Sequence, residues 1–317
     1  MTPVRPSLLP GEIGAGYLGR ATRINGWRKA EDALPEFSAW ASSIDPSLTD
    51  APAIAVLARL AGCDMATFIE RHTLLPLTLR LGLDALVAAS ETTDPRSAVD
   101  LVVTGGGNQS LFLCSACVAE QAERYGTPYW RREHQIPGFT WCPAHGLPLL
   151  DCIDRKAYLT SPGGYSNYTP SIRDYVLDAQ RACEAITRYV DICMRLLDSS
   201  VSLDAQEVSR TARERALELG LRTAINERHG EPLSKLLDRQ YDRLWSHNPW
   251  SDPFHAGQRS CRATIDAIVY GRSCNLPVTA YVAAFAAMYP TADSALEALL
   301  AGSKRDKAGR DQGRAAA

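Results

Sequence analysis

The spacing of apolar residues near the start of the chain predicts a helix. Five apolar residues recur at helical intervals: Ile13, Tyr17, Leu18, Ala21 and Ile24. Asn25 and Gly26 follow them, as a helix C-cap would. The same helix contains the pattern G-x-G-x-x-G, at Gly14, Gly16 and Gly19. A dinucleotide site would need a strand directly before these glycines, but prolines occupy that stretch. We interpret the glycines as a small-residue face that lets a neighbouring helix approach closely.

A second pattern predicts two short helices joined by a tight turn. Pro52–Ala61 and Met65–His72 have helical periodicity, and Gly62-Cys63-Asp64 separates them. Asp64 is suited to be the N-cap of the second helix. The pattern is typical of a helix-turn-helix and equally of an ordinary helical hairpin in a core, and the residues alone leave both open.

The second half of the chain has helical periodicity from Ser171 almost to its end. One long apolar stripe includes Cys183 and Cys193, which predicts core positions for both. Further helices are predicted over Ser209–Gly220, Pro232–Leu244, Cys261–Tyr270 and Thr279–Tyr289, with a last helix capped by Asp293 and ending at Leu300.

Together with the pairs Cys114-x2-Cys117 and Cys142-x2-His145, whose spacing is typical of zinc ligands, these elements predict a mainly α fold in which helix-turn-helix-like helical portions flank a small structural zinc-finger module. The predicted divisions are a helical domain over residues 1–104, a zinc module over 105–156, a helical domain over 157–302 and a disordered tail over 303–317. Gly105-Gly106-Gly107-Asn108 is predicted to be a linker or turn between the first two.

The charge balance restricts the classes of partner. The chain has 34 basic and 36 acidic residues among 317, a formal charge of −2, and no long basic segment. This excludes a protein that coats nucleic acid by charge alone, so any DNA contact must come from a local face. The candidate residues for such a contact are Arg59, Arg71, Arg210 and Arg213.

The chain has no apolar run long enough to cross a membrane and no secretory apolar core in Met1–Pro10. We therefore expect a cytoplasmic protein without a membrane partner. Nine cysteines spread over a long chain do not form the pattern of a secreted disulfide framework.

The cysteine spacing instead predicts a metal site. Cys114-Ser-Ala-Cys117 and Cys142-Pro-Ala-His145 lie 24 residues apart and together supply three thiolates and one imidazole. Four such ligands close a tetrahedral Zn²⁺ shell and leave no position for water, so the site is predicted to be structural. His134 and Cys152 are spare-ligand candidates.

Between the two halves of this motif lie aromatic and basic residues. Trp130 and Trp141 are predicted to pack the module against its neighbours, because such modules bury little by themselves. Arg131 and Arg132 either bind a phosphate or an acidic partner or form a solvated charged face. The chain has no H-E-x-x-H, no G-x-S-x-G and no phosphate loop, and its H-x-E follows the cysteines instead of preceding them. We therefore expect a protein that is not an enzyme.

The motifs of the first half, taken in order, resemble the TniQ family. They are Leu9-Pro10-x-Glu12, Arg20, Asn25-Gly26, Leu60-x-Gly62, Cys114-x2-Cys117, Tyr129-Trp130-Arg131, Gln135-Ile136-Pro137 and Cys142-Pro143-x-His145-Gly146-x-Pro148-Leu149-Leu150-Asp151. The resemblance is dense over residues 9–151 and loose in the helical second half. Many members continue with a second cysteine pair, whereas Cys152 stands alone here. A second zinc ion is therefore not expected.

The resemblance implies a protein that selects targets in DNA transposition without being the transposase. Such proteins join a target-recognising element to the AAA+ ATPase that recruits the transposase. The target DNA is read either by the protein's own DNA-binding helices or by a CRISPR RNA-guided complex, for which the protein is a dimeric adaptor. The near-zero charge favours the adaptor. A stand-alone zinc and helix-turn-helix DNA-binding regulator is the alternative, and an enzyme with an unrecognised site is a third hypothesis.

Overall fold

The computed structural model describes residues 2–78, 111–154, 156–199, 203–225, 227, 229–241, 245, 265–271 and 276–301. These residues form two compact units, one up to Asp174 and one from Tyr175 onward. The fold is mainly helical, as predicted, with one short sheet in the first unit. The four-part division at residues 104, 156 and 302 stays a prediction.

The first unit begins with five helices and continues with the cysteine-containing segment. The helices are α1 (Gly14–Ile24), α2 (Ala30–Ile44), α3 (Ala53–Ala61), α4 (Met65–His72) and α5 (Leu75–Thr78). A sixth helix, α6 (Ser115–Tyr125), follows strand β1 (Leu111–Leu113). Strands β2 (Leu150–Cys152) and β3 (Thr169–Pro170) complete an antiparallel sheet in the order β1-β2-β3. In its register, Leu111 is opposite Cys152 and Leu150 is opposite Pro170.

Helix α1 is the buried centre of this unit. Asn25 ends it and Gly26 follows at φ 80°, as the sequence predicts. A dinucleotide fold would have a strand directly before the glycines. At that position this chain forms an isolated bridge between Glu12 and Arg131. The glycine face does admit close neighbours, but they are the side chain of Trp130 at Gly16 and the backbone of Tyr158 at Gly19, rather than a long helix. Tyr158 lies in a 3-10 turn, Ala157–Leu159.

Helices α3 and α4 are the two short helices joined by a tight turn that the sequence predicts. Gly62 ends α3 in the left-handed region at φ 78°, where a glycine has no Cβ penalty. The Asp64 side chain caps α4 by accepting a hydrogen bond from the Thr67 amide at 2.8 Å. Helix α2 packs on α3, and α3 packs on α4. The three helices form one bundle with a three-residue turn before the last.

The second unit is mainly helical in its described part. Its helices are α7 (Asp174–Ala182), α8 (Glu184–Leu197), α9 (Ala205–Glu218), α10 (Leu233–Gln240), α11 (Val278–Met288) and α12 over residues 292–301. Every residue of α11 is buried, and α8, α9 and α10 pack around it. Tyr189, Tyr241 and Trp245 form an aromatic cluster, with Trp245 within 5.2 Å of both tyrosine rings.

Several sequence predictions in this unit need correction. The long apolar stripe is two helices, because Cys183 takes an extended conformation with ψ 107° that interrupts the i to i+4 hydrogen bonds. Cys193 is buried as predicted, but Cys183 is only half-buried and contacts the Gln240 carbonyl. Residues 267–271 form a turn instead of continuing a helix. Thr291, and not Asp293, caps the last helix through reciprocal hydrogen bonds with Ser294.

Other predictions lie partly or wholly outside the described residues. They are the linker Gly105-Gly106-Gly107-Asn108, the first residues of the helix predicted over Cys261–Tyr270, and the tail over 303–317. The helix predicted over Pro232–Leu244 ends earlier than expected, at Gln240, because Tyr241 takes an extended conformation. Within the part of the chain that is described, no helix has the length and apolar character needed to cross a membrane.

Candidate metal centre

The four predicted ligands come together in the first unit. The sulfur atoms of Cys114, Cys117 and Cys142 and one ring nitrogen of His145 all lie within 4.8 Å of one another. Cys114 immediately precedes α6 and Cys117 lies in its first turn, so the start of that helix presents both thiols. The Gly146 amide donates to the Cys142 carbonyl at 2.8 Å, which closes the tight turn that carries Cys142 and His145. The three cysteines are buried, and His145 is partly exposed.

The separations within the cluster fit a tetrahedral zinc ion. Zinc bonds of about 2.3 Å to sulfur and 2.0 Å to nitrogen imply about 3.8 Å between two sulfur ligands and about 3.5 Å between sulfur and nitrogen. The Cys117 and Cys142 sulfur atoms are 3.6 Å apart. His145 Nδ1 lies 3.6, 3.3 and 3.5 Å from the sulfur atoms of Cys114, Cys117 and Cys142. The donor set and its spacing therefore suit zinc.

A carboxylate orients the histidine of the cluster. His145 Nε2 lies 2.9 Å from Glu120 Oε1, which leaves Nδ1 turned toward the three thiols. This hydrogen bond raises the pKa of His145 above its ordinary value, so the ring is a more basic donor. Glu120 is not among the residues predicted from the sequence. The three-residue spacing from Cys117 on a helix was the available signal, since residues i and i+3 share a helix face.

His134 lies beside the cluster but outside the four-residue group. Its Nε2 is 3.7 Å from the Cys117 sulfur, and the side chain is buried. Burial lowers the pKa of His134 to about 3, so the ring is neutral at physiological pH. It is placed as a hydrogen-bonding neighbour of the Cys117 sulfur, which differs from the spare-ligand role considered from the sequence.

Cys152 also lies outside the group. It is fully buried in strand β2, and burial raises the pKa of its thiol to about 12. Among the described residues, only one group of three or more cysteine, histidine or acidic side chains has the spacing of a metal site.

The residues between the two halves of the motif hold the module against α1. Trp130 is 2% exposed, covers Gly16, and donates from its indole nitrogen to the Thr160 carbonyl at 3.0 Å. Trp141 is also buried and bridges to Pro148. Arg131 pairs with Glu133, and Arg132 is only 6% exposed. The solvated charged face considered for the two arginines is therefore wrong for Arg132, whereas Arg131 is partly exposed and paired with its neighbour.

Other motif residues have structural contacts as well. Arg20 and Glu12 form a buried two-bond ion pair, with N···O distances of 2.9 and 2.6 Å. The Gln135 side chain accepts from the Phe112 amide and donates to its carbonyl, both at 2.8 Å. It thereby satisfies the free edge of β1 as a neighbouring strand would.

The four arginines considered for DNA contact differ in their surroundings. Arg59 on α3 and Arg71 on α4 are exposed. Arg213 is exposed on α9 in the second unit. Arg210 on α9 forms ion pairs with Glu207 and Glu214, so its charge is already neutralised locally.

The fold and site define a helical protein with a helix-turn-helix-like bundle joined to a Cys₃His centre. The family model described as TniQ matches residues 3–149. This match confirms the resemblance to the TniQ family over just under half of the chain.

A curated relative is similar to part of this chain. The chain is 30% identical over 125 residues to "Transposon Tn7 transposition protein TnsD" of Escherichia coli. The alignment covers 37% of this chain and 23% of the relative's length. The chain therefore spans less than a quarter of that protein.

Proposed function

We propose that this protein is a zinc-containing, non-enzymatic adaptor that takes part in target selection during DNA transposition. It links target-site recognition, either of DNA or through an RNA-guided CRISPR complex, to an AAA+ ATPase and the transposase. The observation that carries the proposal is the TniQ match over residues 3–149, which spans the bundle and all four cluster residues.

Zinc is assigned a structural role in this proposal. Cys114, Cys117, Cys142 and His145 would hold the ion, and zinc would supply a closed four-coordinate cross-link between the start of α6 and the Cys142 turn. The buried thiols and the histidine oriented by Glu120 support this assignment. No catalytic set accompanies them in the sequence motifs, so the protein's role is to present surfaces to partners.

Metal content tests this part of the proposal. Freshly purified, unchelated protein should contain one zinc ion per chain. Cys142→Ser should lose most of it and loosen the surrounding structure, because metal binding and folding of such a site are coupled. Cys152→Ser is the matched control, since Cys152 is equally buried in the same unit but lies outside the cluster. Metal-free wild-type protein in elemental analysis would refute the zinc assignment.

Partner binding tests the adaptor role. The purified full chain should bind the AAA+ ATPase encoded beside it, with Cys142→Ser binding less. Absence of an ATPase and a DDE-type transposase from the neighbouring genes, together with no binding to such an ATPase, would contradict the role. Recovery of a CRISPR complex in the same experiment would identify the RNA-guided branch, and a second tagged copy of the chain would report homodimerisation.

One observation favours the alternative, a stand-alone DNA-binding regulator. Helices α3 and α4 are joined by a three-residue turn containing glycine, and both carry an exposed arginine, Arg59 and Arg71. A regulator needs a defined DNA site that the isolated protein binds tightly. The two functions are therefore distinguished by whether the isolated chain prefers DNA or a protein partner.

A further inference from the structure

We infer that the metal centre fixes the position of helix α4, with Arg132 as the positioning residue that connects the two. Residues 130–135, named here the connecting segment, run from the cluster to the end of that helix. The inference rests on the metal centre of the proposed function and assigns it an effect on the second helix of the α3–α4 pair.

The connecting segment is attached to the metal centre at two points. The buried His134 ring lies 3.7 Å from the Cys117 sulfur. The Gln135 side chain makes two 2.8 Å hydrogen bonds to Phe112, in the strand that directly precedes Cys114. A displacement of Cys114 or Cys117 therefore acts on both of these contacts.

The other end of the connecting segment holds helix α4. Arg132 Nη1 donates to the Glu70 carbonyl in the last turn of α4. Carbonyl groups in a last helical turn have no partner within the helix, and a cation there also interacts favourably with the helix dipole. The Arg132 amide donates to the Gly11 carbonyl at 2.9 Å, which fixes the backbone from which the side chain extends.

A second contact at the same end of α4 involves His72. Its Nδ1 lies 2.8 Å from the Glu12 carbonyl, and Glu12 is bridged to Arg131 through the backbone. The end of α4 is thus held twice, and both contacts depend on where the connecting segment lies.

Helix α3 provides an internal comparison. It ends with its own cap, in which the amides of Gly62 and Cys63 return to the Arg59 and Ala58 carbonyls. Helix α4 is only eight residues long, and helices of that length are marginal without tertiary contacts. Loss of the Arg132 contact should therefore loosen α4 and leave α3 nearly unchanged.

Hydrogen exchange on the full-length protein tests the inference. Arg132→Ala should accelerate amide exchange in the last turn of α4 by about tenfold or more, with zinc content unchanged. Arg132→Lys keeps a charged donor and should restore part of the protection. Arg71→Ala is the control, since this exposed arginine lies on the same helix turn. Removal of the metal from wild-type protein with a chelator should accelerate the same amides.

Three results would overturn the inference. The first is that Arg132→Ala leaves amide exchange in α4 unchanged. The second is that this variant accelerates exchange in α3 and α4 equally. The third is that chelation of wild-type protein shown to contain zinc leaves exchange of the α4 amides unchanged. Should elemental analysis find no metal, the zinc assignment of the proposed function fails, and with it the link to the metal. The Arg132 variants would then still report whether this side chain positions α4. If Arg132→Ala does not fold, chelation of the wild-type protein still tests whether the metal positions α4.

Discussion

Several polar side chains in the motifs shared with the TniQ family hold the protein's own backbone. Asn25 accepts from the Val4 amide at 2.7 Å and donates to its carbonyl at 2.8 Å, so it fastens the N-terminal segment to the end of α1. Gln135 has the same relation to Phe112. These residues are explained by the fold, so contacts with DNA or a protein partner must be sought among exposed positions such as Arg59 and Arg71.

His72 is a single residue that should make the free energy of unfolding depend on pH. Burial lowers the pKa of His72 below its ordinary value of 6.5, so the folded protein keeps this ring neutral where the unfolded chain takes up a proton. The unfolded state then binds more protons below pH 6.5, and the free energy of unfolding falls as the pH decreases from there toward the lowered pKa.

His72→Gln removes this titration and keeps a donor for the Glu12 carbonyl. The variant should lose less stability than wild type between pH 7 and 5.5, by up to about 1 kcal/mol per pH unit. Urea denaturation at a series of pH values measures the difference. His229→Gln, at an exposed histidine, should keep the wild-type pH dependence. Identical slopes for wild type and His72→Gln would show that His72 does not contribute.

At the scale of elements, helix α1 depends on the absence of side chains at two positions. A Cβ atom at Gly19 would stand 1.8 Å from the Tyr158 carbonyl oxygen, a backbone atom that cannot move alone. At Gly16 the corresponding distance to Trp130 Cβ is 3.0 Å. The glycines thus set the distance between α1 and two segments, one between the halves of the cysteine motif and one after it.

Gly19→Ala should consequently destabilise the protein, although alanine is the better helix former. Overpacking of a buried contact costs about 1–3 kcal/mol, which exceeds the gain of about 1 kcal/mol in helix propensity over most of that range. Chemical denaturation measures the change. Gly164→Ala is the matched control, because its Cβ would meet only the Thr160 methyl group at 3.9 Å. A Gly19→Ala variant as stable as wild type would contradict the packing described here.

The elements that the sequence predicts well are those with local signals. Gly62 and Asp64 mark the end of α3 and the start of α4, and the bounds observed for α4 are those predicted. The convergence of the cluster was also predictable, since two short ligand pairs can satisfy one ion only by meeting. Each of these signals lies within a few residues of the feature it specifies.

Elements that depend on distant partners could not be predicted in the same way. Strand β1 is three residues long, and its partners Cys152 and Gln135 are far away in sequence. The helix breaks at Cys183, although the apolar periodicity of the sequence continues through this residue. The periodicity therefore does not predict the break. Arg132 has the sequence context of a surface arginine, and its burial follows from the position of α4.

For the whole molecule, the near-neutral charge is matched by local pairing of charges. In the second unit, Arg195 pairs with Asp191, Arg210 with Glu207 and Glu214, and Arg215 with Glu218. Exposed pairs of this kind add little stability, but they reduce the positive potential that a phosphate backbone would meet. This favours an interaction based on surface shape over one based on charge.

The adaptor and regulator functions predict opposite rankings of affinity across a salt series. For an adaptor, binding to random duplex DNA should be weak and should collapse between about 50 and 200 mM salt, because few phosphates are neutralised. Binding to the ATPase or recognition partner should survive that change, since such an interface rests on buried apolar and aromatic anchors. For a regulator, a defined operator should be bound tightly without any protein partner.

The variant Arg71→Ala distinguishes the two functions further. It should weaken operator binding if α3 and α4 bind DNA as a helix-turn-helix. It should leave the binding of a protein partner unchanged if that partner does not contact α4. Tight sequence-specific binding by the isolated chain would exclude the RNA-guided adaptor and leave direct target reading or regulation.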